Sequence, residues 1–199
     1  MKITLLAKKG GVGKSTISLL IQDALRRVGH KVAIQDWDEQ GTSSKSCNFR
    51  KIQLAVPGES YAYLIYDTKP DLMDPATKDA VTGADVILIV ATPSFADLWE
   101  VAETYQYAQR LNPRAIIRVV FNKVKKGTVA SRELDSSVNE LALPIPPLSH
   151  QLPFREAFNT FLADGWKALD GPTQQLVGEL VLEAVTLNAG ATQPLVGVE

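Results

Sequence analysis

Apolar residues recur along this chain in two rhythms that alternate with each other. Five short runs, Ile3–Ala7, Val32–Asp36, Tyr63–Asp67, Val86–Ala91 and Ile116–Asn122, are almost unbroken in Val, Ile, Leu and Tyr. A strand wet on one face would alternate apolar and polar positions. Unbroken runs instead predict strands buried on both faces. Between the first two runs, Ile17, Leu20, Ile21, Ala24, Leu25 and Val28 fall at helical spacing, and Gly29 stands where a left-handed helix cap belongs. Helical patterns follow at roughly 75–83, 97–111, 129–141, 154–163 and 173–187. Strand–helix alternation predicts a three-layer, doubly wound α/β fold with a mostly parallel sheet, in which ligands sit beyond the carboxyl ends of the strands. Residues 1–187 read as one domain, and the small, polar segment 188–199 as a short and frayed tail.

Composition narrows the function. The chain has 199 residues, enough for one well-buried core. The net charge is −1, so no global basic field attracts nucleic acid, and any such contact must come from a local patch. The single cysteine, Cys47, excludes an internal disulfide framework and fits a reducing, cytoplasmic setting. The apolar part of the opening MKITLLA is too short for a signal peptide or a membrane span, and no later run is longer than Val86–Ala91.

The first strand runs into Lys8-Lys9-Gly10-Gly11-Val12-Gly13-Lys14-Ser15-Thr16. Glycines let the backbone take positive φ and bring its N–H groups close to phosphate oxygens. Lys14 supplies a charge to the β- and γ-phosphates, and the Ser15 hydroxyl is a hard ligand suited to Mg²⁺. The following helix offers its positive end to the same phosphates. Strand before and helix after make this a phosphate-binding loop of the P-loop NTPase type, with ATP and Mg²⁺ as its cofactors. The loop departs from G-x-x-x-x-G-K-[ST], because Lys8 replaces the first glycine and a second lysine, Lys9, precedes Gly10.

This arrangement resembles the signature of the ParA/MinD family of deviant Walker ATPases. The resemblance implies that Lys9 reaches across a dimer interface to the ATP of a partner subunit. Asp36-Trp37-Asp38-Glu39-Gln40 is similar to the family's D-x-D-P-Q segment, with Glu39 in place of proline; it implies that Asp38 orients the attacking water and that Asp36 joins the Mg²⁺ network. Asp67, ending the third run, looks like a Walker B aspartate holding Mg²⁺ through water. Two prolines usually follow the next Thr in that family; here Lys69 replaces the first. Pro93-Ser94-Phe95-Ala96-Asp97-Leu98-Trp99 resembles the P-S-x-x-D-x-W segment of short plasmid-partition ParA proteins. Asn122-Lys123 resembles N-x-[RK], whose Asn side chain reads adenine with both donor and acceptor. Pro146 and Pro147 are expected to close over the base, and Leu152–Phe158 to open the C-terminal helix. The similarity spans Met1 to about Leu187.

The resemblance implies an ATPase that forms an ATP-sandwich dimer, binds non-specific DNA on the nucleoid and positions a cargo, either a plasmid or a carboxysome. A cargo-bound adaptor protein would stimulate hydrolysis. The segment Asn122–Arg132 carries Lys123, Lys125, Lys126 and Arg132 with no acid, and Arg155 extends this candidate DNA patch. A membrane-attached role like that of MinD needs a basic amphipathic C-terminal helix. From Ala168 onward there is no Lys or Arg, so no membrane partner is expected. The remaining alternative is a metabolic, ligase-like P-loop enzyme.

Overall fold

Each apolar run is a strand in the computed structural model, which describes residues 1–125, 127–132, 134–140 and 145–187. The strands are β1 (Lys2–Leu6), β2 (Val32–Asp36), β3 (Tyr63–Asp67), β4 (Val86–Ala91) and β5 (Ile116–Phe121). They pair in the order β2-β3-β1-β4-β5, every neighbour parallel. The chain leaves β1, skips a place to lay down β2, returns through β3 and then builds outward on the other side. The order therefore reverses around β1, and the crevice at that reversal is where a doubly wound sheet receives its ligand.

Both sheet faces are buried, as the unbroken runs predict. Ile3, Leu5, Val86, Leu88 and Val90 pack against helix α1 (Lys14–Arg27) and the C-terminal helices α7 (Ala157–Asp164) and α8 (Gly171–Thr186). Leu6, Ile87, Ile89, Ala91 and Phe121 point the other way, toward α3 (Pro75–Thr82) and α4 (Phe95–Leu111). Successive β4 residues thus serve opposite cores, which a period of two requires. The 129–141 pattern gives two short helices, α5 (Val129–Arg132) and α6 (Leu134–Glu140). The start expected at 154 moves to Ala157, and a 3₁₀ turn, Gly165–Ala168, follows α7. Residues 188–199, expected to form the tail, lie outside the described residues.

Helix α2 (Thr42–Phe49) is absent from the sequence reading because TSSKSCNF carries no apolar period. Tertiary contacts hold it. Ser44 N–H donates to Asp36 Oδ2 at 2.8 Å, and Ser46 Oγ donates to the Leu162 carbonyl at 2.5 Å. Beyond its end, Arg50 pairs with Asp23 of α1 at 2.5 Å, with side chains 10% and 7% exposed. An ion pair that deep fastens one end of α2 to α1, because losing either partner would leave a buried charge uncompensated. Among the described residues no helix is long and apolar enough to cross a membrane.

Candidate nucleotide-binding site

The loop after β1 turns on glycines in the conformation that glycine permits. Gly11 has φ +77° and Gly13 φ +107°. Gly13 also occupies the N-cap of α1 and gives it no side-chain cap, while α3, α4 and α8 are capped by Asp74, Ser94 and Asp170. The first N–H groups of α1 are thereby left for an anion. Room at Gly13 is taken by Asn122, just past β5. A Cβ at Gly13 would lie 2.1 Å from Asn122 Nδ2. Gly13→Ala is therefore expected to weaken ATP binding at least about tenfold, since strain at a positive φ adds to the clash. A fluorescent-nucleotide titration with unchanged affinity would contradict this.

A cleft of about 290 Å³ opens over the loop. Gly10, Gly11, Gly13, Lys14, Ser15 and Thr16 line one end, with Asp38, Gln40, Thr42 and Pro70 beside them. Lys14 is buried, and burial pulls its ammonium below the usual lysine range while Asp67 and Asp38 pull the other way. Val12 turns inward and is 3% exposed, so it supports the loop from beneath. Asp36 and Asp67 are register partners on β2 and β3. Asp67 is fully buried, and burial pushes its carboxyl up to about 6 against the opposing pull of Ser43, Ser15 and Lys14 nearby. Its Oδ2 accepts from Ser43 Oγ, and its Oδ1 has no hydrogen-bond partner. An orphaned carboxylate oxygen beside the Ser15 hydroxyl is a hard-oxygen set that fits Mg²⁺, and the ion's charge would hold the carboxylate ionised. Asp36 instead braces its own loop, accepting from Asp38 N–H at 3.0 Å and Ser44 N–H at 2.8 Å. Asp38 lines the cleft, and its Oδ1 accepts from Gln40 N–H at 3.0 Å.

Lys9 does not line the cleft of its own chain. Its ammonium bonds Asp97 Oδ1 on α4 at 2.7 Å, with the lysine side chain 56% exposed and the aspartate 2%. Asp97 Oδ2 accepts from the backbone N–H and the hydroxyl of Thr92 at 2.9 and 2.5 Å. Lys8 is paired with Glu100 and Glu103, both at 2.8 Å.

The other end of the cleft is lined by Asn122, Lys123, Pro153, Phe154, Arg155, Phe158 and Asn159. Asn122 Nδ2 donates to the Val12 carbonyl at 2.8 Å, so its donor half braces the phosphate loop. Pro146 and Pro147 run beside the middle of β5, where Pro147 bridges Val119, and they do not line the cleft. The segment 153–159 takes that place. Of the candidate DNA residues, Lys123 is exposed but leans over the phosphate loop at the cleft, with φ +58° and its ammonium on the Gly11 carbonyl at 2.6 Å. Arg155 also faces the cleft and pairs with Asp170 at 2.8 Å. Lys125 and Arg132 are exposed, Lys125 over the Phe154 ring at 4.6 Å, and Lys126 lies outside the described residues. Thr42, Ser43 and Asn159 are site residues that the motifs do not mark. Only the pairing of β2 with β3 and the return of the chain past β5 bring them in.

Comparison with known proteins gives the family and the fold. The model of the CobQ/CobB/MinD/ParA nucleotide binding domain matches residues 3–166. The maintenance of carboxysome distribution protein A of Halothiobacillus neapolitanus is 27% identical over 160 residues, covering 69% of this chain and 73% of that protein. Among solved structures, apo McdA from Cyanothece superposes with a TM-score of 0.74 at 16% identity, covering 92% of this chain and 98% of that one. A plasmid partition protein of Borrelia burgdorferi bound to AMPPNP gives 0.73 at 17% identity, covering 94% and 98%.

Proposed function

Since this chain belongs to the CobQ/CobB/MinD/ParA nucleotide-binding family, and is an ATPase working with ATP and Mg²⁺, we propose that ATP switches it between a monomer and a face-to-face dimer that tethers a cargo to DNA. Residues 1–187 form the ATPase domain in this reading. Lys14, Ser15, Thr16 and the loop backbone hold the phosphates, Asp67 and Ser15 hold Mg²⁺ with Asp36 bracing the network, and Asp38 orients the water. Asn122 with Pro153–Asn159 holds the base.

The observation that carries the dimer is Lys9. A lysine inside the phosphate motif, more than half exposed and turned away from its own cleft, is available to a nucleotide held by another copy. Its charge would reward association only while the γ-phosphate is present. Lys125, Lys126 and Arg132 supply the local basic patch for phosphate contacts, and Lys123 and Arg155 serve the nucleotide side. An adaptor on the cargo stimulates hydrolysis and releases the dimer. Of the two cargoes, the carboxysome is supported by the relative matched over 73% of its length.

Random-sequence duplex DNA tests the tether. Binding is expected with ATP and not with ADP at low salt, and it should fall steeply as salt rises because counterion release drives it. Absence of binding in both nucleotide states would overturn the DNA tether and return Lys125 and Arg132 to a solvated surface.

A further inference from the structure

Two positions where this chain departs from the D-x-D-P-Q and double-proline patterns meet in space. Glu39 and Lys69 lie on the loops after β2 and β3, whose last residues Asp36 and Asp67 are register partners. Lys69 Nζ lies 2.5 Å from Asp74 Oδ2 and 3.4 Å from Glu39 Oε1. Asp74 is itself fixed, because its Oδ1 caps α3 by accepting from Ala76 N–H at 3.0 Å and Thr77 N–H at 3.2 Å. The inner contact is sheltered, with side chains 22% and 16% exposed, whereas Glu39 is 89% exposed. The lysine is thus anchored firmly at the helix and lightly at the loop that carries Asp38.

We propose that Lys69 is a positioning residue for hydrolysis, anchored on Asp74 and holding the Asp38 loop in place through Glu39. This deepens the reading of Asp38 as the water-orienting group and rests on it. A proline stiffens a loop by fixing φ, and salt does not affect that. An ion pair does the same work through charge, and an exposed one weakens as salt screens it. The chain has replaced two prolines by one bridge, so the placing of Asp38 becomes sensitive to ionic strength.

The test compares the full chain with Glu39→Ala, Lys69→Ala, the double variant, Lys69→Arg and Asp38→Ala, at low and high salt. ATP turnover is measured together with Trp37 emission from nucleotide-free protein. Trp37 reports this loop directly, since its ring stacks on Tyr66 at 4.9 Å and its backbone N–H donates to the Asp67 carbonyl at 2.8 Å. Its share of the emission is what a Trp37→Phe companion lacks. Each alanine at the bridge is expected to lower kcat about two- to fivefold at low salt with KM for ATP unchanged, the range an exposed pair supports. The double variant should be no slower than Lys69→Ala, and Lys69→Arg should restore turnover. Salt should slow the parent protein toward Lys69→Ala while leaving that variant unaffected. Trp37 emission should shift in Lys69→Ala. If Asp38→Ala abolishes turnover while Lys69→Ala changes neither turnover nor emission, or if the two alanine effects simply add, the bridge has no positioning role. If Asp38→Ala turns over normally, the water-orienting reading and the inference resting on it both fail.

Discussion

Alanine at Asp38 is expected to slow ATP turnover by about a hundredfold or more while leaving ATP affinity nearly unchanged. A loose phosphoryl-transfer transition state asks the protein mainly to place a water and to spread charge, so a carboxylate that orients the water acts on kcat. The geometry favours this group over its neighbours. Asp67 is buried with one oxygen on Ser43, and Asp36 accepts two backbone N–H groups of its own loop. Asp38 lines the cleft, and its side chain accepts from Gln40 N–H alone among the described hydrogen bonds. Single-turnover hydrolysis and an equilibrium nucleotide titration separate the two quantities. With hydrolysis blocked, the ATP form should also persist as the dimer. Turnover within a few-fold of the parent would remove Asp38 from its role.

Lys9→Ala should keep nucleotide binding within about twofold and lose the ATP-dependent dimer, because uniform ground-state contacts stay and only a charge given to the second nucleotide is removed. Light scattering with ATP and with ADP measures this. A normal ATP dimer in the variant would contradict the trans role. The variant should remain folded, since the buried Asp97 carboxylate keeps its hydrogen bonds from the Thr92 backbone N–H and hydroxyl when Lys9 is removed.

Much of the sheet was legible in the sequence because the physics of a doubly covered strand leaves few options: Val86–Ala91 admits no polar residue, and both its faces are core. The phosphate loop was legible for a similar reason, since Gly10-Gly11-Val12-Gly13-Lys14 between a strand and a helix serves one chemistry. Helix α2 was not, because its stability comes from Asp36, Leu162 and the Arg50–Asp23 pair. The base end of the cleft was only half legible. Asn122 was placed by its strand end, but Pro146–Pro147 and Pro153–Asn159 both carry proline, and only the tertiary path decides which reaches the cleft. Lys123 sits at a positive φ with its ammonium on the Gly11 carbonyl, a placement that a run of basic residues does not advertise.

The grip of Asp97 on Lys9 has one further consequence for the switch. It is an internal ligand, 88 residues away along the chain but held opposite the lysine by the fold, at an effective concentration on the order of millimolar or above. A second subunit offering ATP arrives only at its bulk concentration and must displace that ligand first. In the proposed switch, the carboxylate on α4 would set a protein concentration below which ATP-loaded chains stay single.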